Sequence, residues 1–197
     1  MRVLVIAAGV LLGVVPARAA ESLPDVTAEQ ALFSQGKQVS TAKVYVSGGR
    51  VRSETTAGGQ TMTTLLDRRA KKMWLLMPGV GCIEQPVTER SADLLGAMPA
   101  DATEELVGKE TIDGHPTQKY KVRATVAGKT SEHYQWRATD LGGFPIRTAA
   151  VDGSYEQRFT RIELKTPDAK LFAAPTNCRP MPALGGPMPP AAKSKPR

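Results

Sequence analysis

The feature that most constrains this chain is a rhythm of short alternating runs cut by paired turn residues. Gly48-Gly49, Gly58-Gly59, Asp113-Gly114 and Asp152-Gly153 each separate two such runs. Pairs of this kind suit the tight hairpin turn, whose central residues take positive φ. The runs between them place polar and apolar side chains at alternate positions, the period of a strand with two different faces. In "RVRSETT" this puts Arg50, Arg52 and Glu54 on one face. In "KTSEHYQWRA" it puts Tyr134 and Trp136 on one face and His133, Gln135 and Arg137 on the other.

Extended over residues 38–164, this reading yields about nine or ten strands. Successive strands joined by tight turns form an antiparallel meander. Helical spacing is confined to short pieces. Ser91 caps and Asp93 opens a short helix ending near Met98, before Pro99. "PDAKLFAAP" gives a brief helical turn that seats Leu171 and Phe172. With so little helix, the economical architecture is one strongly curved antiparallel sheet, an incomplete β-barrel, with helices over its concave side.

The ends of the chain differ from this middle. Residues 1–19, "MRVLVIAAGVLLGVVPARA", read as a secretory signal. Arg2 supplies the positive start, residues 3–15 an apolar run too short to span a bilayer, and Ala17-Arg18-Ala19 the cleavage pattern. Cleavage is expected after Ala19, which makes the protein periplasmic. Residues 20–178 then form a single β domain. Residues 179–197, rich in proline and alanine, are expected to be a disordered basic tail.

The formal net charge of +7 suggests nucleic acid until its distribution is considered. Of 26 basic residues, Arg2 and Arg18 lie in the leader and Arg179, Lys193, Lys195 and Arg197 in the tail, so 20 remain on the domain against all 19 acidic ones. A polynucleotide face needs a positive patch on the fold itself. The expected contacts therefore exclude nucleic acid and allow at most peripheral membrane contact through the tail.

Two cysteines remain, Cys82 and Cys178, and an oxidising compartment favours a disulfide between them. Two buried free thiols are the alternative. The cysteines and two scattered histidines offer no close set of metal ligands, so no metal and no cofactor is expected.

Catalytic signatures are missing as well. His115 follows a hairpin turn and His133 lies on the polar face of a strand, so both read as exposed side chains. No Gly-x-Ser-x-Gly elbow occurs. Glu104 and Glu105 are neighbours and point to opposite faces of a strand. Asp67, Asp113 and Asp152 sit where turns need them. "GVG" and "LGG" are turns without the lysine of a phosphate loop. No catalytic residue is assigned, and the chain does not read as an enzyme.

What remains is apolar surface on the strands, including Met62, Leu65, Met73, Trp74, Leu75, Leu76, Met77, Tyr120, Val122, Tyr134, Trp136, Ile146 and Phe159. In a closed structure these side chains are core. On an open curved sheet they can line a pocket for an acyl chain.

Three stretches carry a family resemblance. "GGRVRSETTAGGQTMTTLLDRRAKKMWLLMPG" runs turn, strand, glycine turn, strand, charged turn, Met-Trp strand. "LVGKETIDGHPTQKYKV" supplies the next hairpin, and "PDAKLFAAP" closes the fold. This order resembles exported proteins of the LolA/LolB-like superfamily, the periplasmic lipoprotein carriers and their relatives. The resemblance implies an incomplete antiparallel barrel with a helical lid over an apolar cavity. On it, Met62, Trp74, Leu76, Tyr120, Val122, Tyr134, Trp136 and Ile146 are the expected cavity residues, with Arg50 and Arg52 at the rim. The chain lacks the arginine-proline and aromatic-x-Trp pattern of the dedicated carriers and shows one clear helix before its last hairpin. The resemblance therefore carries the fold and an apolar cavity, and not lipoprotein transfer. Two functions follow as expectations: a non-enzymatic binder of a lipid or lipoprotein acyl chain, acting as carrier or sensor, or an envelope adaptor with a filled core and a protein partner.

Overall fold

The computed structural model describes residues 23–87, 102–126 and 129–181. They form one twelve-stranded sheet, strongly curved and not closed. The strands are β1 (Val26–Ser34), β2 (Lys37–Ser47), β3 (Arg50–Ala57), β4 (Gln60–Asp67), β5 (Lys72–Met77), β6 (Gly81–Pro86), β7 (Thr103–Ile112), β8 (His115–Val126), β9 (Lys129–Ala138), β10 (Phe144–Ala150), β11 (Tyr155–Glu163) and β12 (Arg179–Pro180). Their spatial order is β12-β6-β5-β4-β3-β2-β1-β11-β10-β9-β8-β7.

Two antiparallel meanders make up this order, β2 to β6 and β7 to β11. β1 joins them, pairing with β2 on one side and β11 on the other. β12 returns the end of the described chain to β6, in parallel. The meander follows from the turns. Gly48 and Gly49 have φ of 57° and 79°, and Asp113 and Gly114 have 50° and 85°. Ser47 pairs with Arg50 and Ile112 with His115 across them. Positive φ at both central residues gives these turns the twist of the strands they join.

Ten of the twelve strands are those expected from the sequence. The others are β12, a two-residue bridge in the segment expected to be tail, and β1, which the sequence pattern does not announce. Helix among the described residues amounts to two 3-10 turns, Thr139–Leu141 and Ala169–Phe172. The second is the turn expected to seat Leu171 and Phe172, and Phe172 is buried. The helix expected near residues 91–98 lies outside the described residues.

Cross-strand pairing sorts every side chain onto one of two faces. Val46 pairs with Val51, Val51 with Leu66, and Leu66 with Met73. Together with Val26, Val44, Phe144, Ile146 and Phe159 they form the main hydrophobic cluster, and Phe144 and Phe159 meet edge-on with centroids 5.1 Å apart. This is the core face. Burial of each such side chain contributes about 1.5–3 kcal/mol.

On the back face a smaller cluster gathers Leu65, Trp74 and Phe172, with Tyr45, Leu76, Leu171, Cys82 and Cys178 against it. Here residues 169–181 cross the sheet as a strap. The Cys82–Cys178 disulfide fastens it, β12 extends it along β6, and Met181 N–H donates to Glu84 O at 2.8 Å.

Candidate ligand-binding face

The eight expected cavity residues divide between the two faces. Thr55 pairs with Met62 and Leu65 with Trp74, so Met62 shares the core face while Trp74 and Leu76 share the back face. In the other meander Tyr120 pairs with Gln135 and Val122 with His133, whereas Lys119 pairs with Trp136 and Lys121 with Tyr134. Tyr120, Val122 and Ile146 are thus on the core face, and Tyr134 and Trp136 on the back. Strand alternation assigns faces within each strand, but the match of faces between distant strands depends on register, which local sequence does not encode.

On the back face the aromatic residues are already covered. Trp74 and Leu76 lie under the strap, and Trp74 Nε1 donates to Glu84 Oε2 at 2.8 Å. Lys72 pairs with the other oxygen of Glu84. Donation from Lys72 first, then from Trp74, holds the Glu84 carboxyl below its usual pKa. Lys119 Nζ lies 4.4 Å from the Tyr134 ring centroid and 4.8 Å from that of Trp136, and Arg147 stacks on Trp136 at 4.5 Å. Trp136 Nε1 donates to Glu110.

The expected rim arginines hold the strap. Arg50 lies over the Phe172 ring, and Arg52 Nη1 donates to Leu171 O at 3.2 Å while its Nε donates to Glu54 at 2.9 Å. Both belong to the back face, since Arg52 pairs with Tyr45 and Leu65.

The core face offers apolar surface that its own packing does not consume. Met62, Leu75, Met77 and Ile83 are half-buried, unlike Leu66 and Met73 beside them, which are buried. Leu75 pairs with both Thr64 and Ile83, so the four form one strip over β4, β5 and β6. Methionine adapts to irregular apolar shapes, and the strip holds two. From sequence, Met62 is expected at the site, Leu75 and Met77 are expected only as apolar strand residues, and nothing singles out Ile83. Alternation within "KMWLLM", taken together with the register to Met62, was the signal that could have found them.

Farther round the same face the surface turns polar. Arg137 stacks on Tyr120 at 4.5 Å, pairs with Glu104 at 2.6 Å and donates to the Gln135 side chain, which is 2% exposed. Tyr120 in turn donates to Gln118. Val122 is fully buried.

His115 is not the free turn neighbour that the sequence suggested. Its Nδ1 lies 2.8 Å from Asp140 Oδ2. The adjacent Thr139 hydroxyl donates to Pro116 O at 3.1 Å, so the pair clasps the 3-10 turn Thr139–Leu141 to the start of β8. Among the described residues no group of three or more His, Cys, Asp or Glu side chains is placed to hold a metal ion.

No family model matches the chain, and no curated protein matches it in sequence. Solved structures match in fold. A chain of the Pseudomonas aeruginosa MucA/MucB complex aligns at 14% identity with a TM-score of 0.51, over 81% of this chain and 59% of that one, less than two thirds of its length. The Mycobacterium tuberculosis lipoprotein LppX aligns at 15% identity with a TM-score of 0.46, over 74% and 89% of the two chains. A LolA superfamily protein from Nitrosomonas europaea aligns at 12% identity with a TM-score of 0.41, over 78% and 91%. The class defined is an open, curved and almost wholly antiparallel sheet, a fold shared with the MucA/MucB chain.

Proposed function

We propose that this protein is a non-enzymatic component of the bacterial envelope that binds a hydrophobic ligand, a lipid or acyl chain, on its core face. The observation that carries this reading is the half-buried strip of Met62, Leu75, Met77 and Ile83 beside a well-packed core. Surface of this kind takes up an alkyl chain by burial, at about 25 cal/mol per Å² before the costs of binding. Export to the periplasm, through the signal at residues 1–19, completes the reading as a carrier or a sensor of lipid or lipoprotein. The leader and most of the basic tail lie outside the described residues.

A second reading has its own support. Much of the core face is filled by the chain's own side chains, with Val26, Val122 and Phe144 at most 1% exposed. An envelope adaptor that binds a protein partner would look the same there, and the solved neighbour with the highest TM-score of those described above is a complex of two proteins.

Native mass spectrometry of the protein purified from its own periplasm, with lipid extraction, separates the two. The lipid reading expects a bound lipid and uptake of a fluorescent fatty acid. An empty protein that takes up no probe would sink it and leave the adaptor.

A further inference from the structure

The charged turn between β4 and β5 holds an arginine that the packing leaves in an unusual state. The Nε and Nη2 atoms of Arg68 are buried, and neither finds a hydrogen-bond acceptor. Its backbone is engaged normally, with Arg68 N–H donating to Gly49 O at 3.2 Å. The nearest acid in sequence, Asp67, is spent on the turn, since its Oδ1 accepts from the N–H groups of Arg69 and Ala70 at 2.9 Å each. Burial also lowers the pKa of the Arg68 guanidinium. Guanidinium N–H groups buried without acceptors are costly, and natural structures keep such groups where something else meets them.

The identity of the two atoms is informative. Nε–H and Nη2–H lie on the same edge of the planar guanidinium and form the side-on fork that takes an oxyanion. This chain uses that edge elsewhere. Arg123 points Nε and Nη2 at Glu132, and Arg158 points the same pair at Glu156. In Arg68 the same fork is buried with no acceptor among the described residues.

Its place relative to the apolar strip matters as much. Arg68 lies in the turn just beyond Asp67, the last residue of β4, at the end of the β4–β5 hairpin opposite to Met62. At ~3.4 Å per residue this separates them by about 20 Å, with Leu66 and Thr64 between.

We propose that the Arg68 fork is the headgroup site of the ligand, binding the carboxylate or phosphate oxygens of an anionic amphiphile whose chain is taken up by the half-buried strip of Met62, Leu75, Met77 and Ile83. This rests on the hydrophobic-ligand reading above and adds to it the charge and the orientation of the ligand.

The test uses the whole protein with a fluorescent long-chain fatty acid, its methyl ester, and inorganic phosphate alone. Arg68→Met is expected to weaken the fatty acid by about tenfold or more, the scale of lost charge-assisted hydrogen bonds, and to leave the uncharged ester within about twofold. Arg68→Lys keeps the charge and loses the fork, and is expected to fall between. Without ligand, Arg68→Met is expected to melt no lower than the parent, because it removes two buried N–H groups that nothing in the protein accepts from. Equal effects on acid and ester, or no effect on either, overturn the assignment. A clear loss of ligand-free stability in Arg68→Met overturns it too, by showing that the chain itself pairs Arg68. Stabilisation by phosphate that depends on Arg68, with acid and ester not distinguished, makes the site one for a free anion and overturns the headgroup. If the parent binds neither amphiphile, the hydrophobic-ligand reading fails first and the headgroup site falls with it.

Discussion

The Arg50 guanidinium lies 4.8 Å from the centroid of the Phe172 ring, joining two residues more than a hundred positions apart. The contact closes the strap over the back face, where Phe172 packs with Leu65 and Trp74. Phe172→Ala is expected to destabilise the protein by about 3–5 kcal/mol, the range for removing a buried aromatic ring. Arg50→Ala removes the cation–π contact but leaves the ring in place, and is expected to cost less, about 0.5–1 kcal/mol. Urea unfolding of the two variants measures both, and equal losses would show that the ring contributes no more than its partner.

The disulfide fastens the same strap, across a sequence separation of 96 residues. Closing so long a loop is worth up to about 4–5 kcal/mol on chain-entropy grounds, and less where the native state resists. Reduction is expected to lower the midpoint of unfolding and to act locally first. Amide exchange should rise at β12 and around residues 169–173 while β1 and β11 stay protected, and Trp74 emission should shift as its cover loosens. Uniform loss of protection across the sheet would mean that the strap is not a separate unit.

How much of this was legible in the sequence follows from the range of each interaction. Turn chemistry is local, so Gly48-Gly49 and Asp113-Gly114 announced their hairpins. The disulfide was legible because the export expected from the sequence and the number of cysteines left few choices. β1 was not, because "VTAEQALFS" is rich in residues that do well in helices, and only pairing with β2 and β11 makes it a strand. The site suffered in the same way. Alternation showed that Tyr134 and Trp136 share a face, but not that this face lies opposite Met62 and Tyr120. Register across the sheet decides that, and a bulge such as the one between Pro145 and Arg147 shifts it. The strap's use of Arg50 and Arg52 depends on contacts more than a hundred residues long, which no local pattern reveals.

Acid should weaken the fold through carboxylates that the native state holds ionised. Glu156 is the best placed. Donation from Arg158, then the positive charges of Arg147 and Arg158, hold its pKa below the ordinary 4.5 against the opposing effect of burial. A folded-state pKa below the unfolded one contributes stability that is full above about pH 4.5 and is lost as pH falls through the folded-state value. Glu156→Gln is therefore expected to be less stable at neutral pH and to lose less on acidification below about 4.5. Thermal melts of both proteins from pH 7 down to about 3 compare the slopes. Parallel curves would mean that Glu156 is not a source of the acid sensitivity.

The edge strand gives the last prediction. β7 ends the sheet, paired only with β8 among the described strands, and its Leu106 and Val107 are exposed. An open edge of this kind invites pairing with other chains unless it is held or blunted. Here a bulge falls between Leu106 and Gly108, and Glu110 reaches across β8 to accept from Trp136 Nε1 on β9. Trp136 is 4% exposed, so removing the acceptor leaves a buried N–H without its partner. Glu110→Ala is expected to cost about 1–3 kcal/mol, the penalty for a buried donor left unpaired. It should also raise amide exchange along β7 more than along β9 and increase concentration-dependent association in light scattering. Trp136→Phe removes the donor instead and should loosen β7 likewise. If both variants keep β7 protected, the bulge and the β8 pairing suffice to hold the edge and the Trp136–Glu110 bond does not.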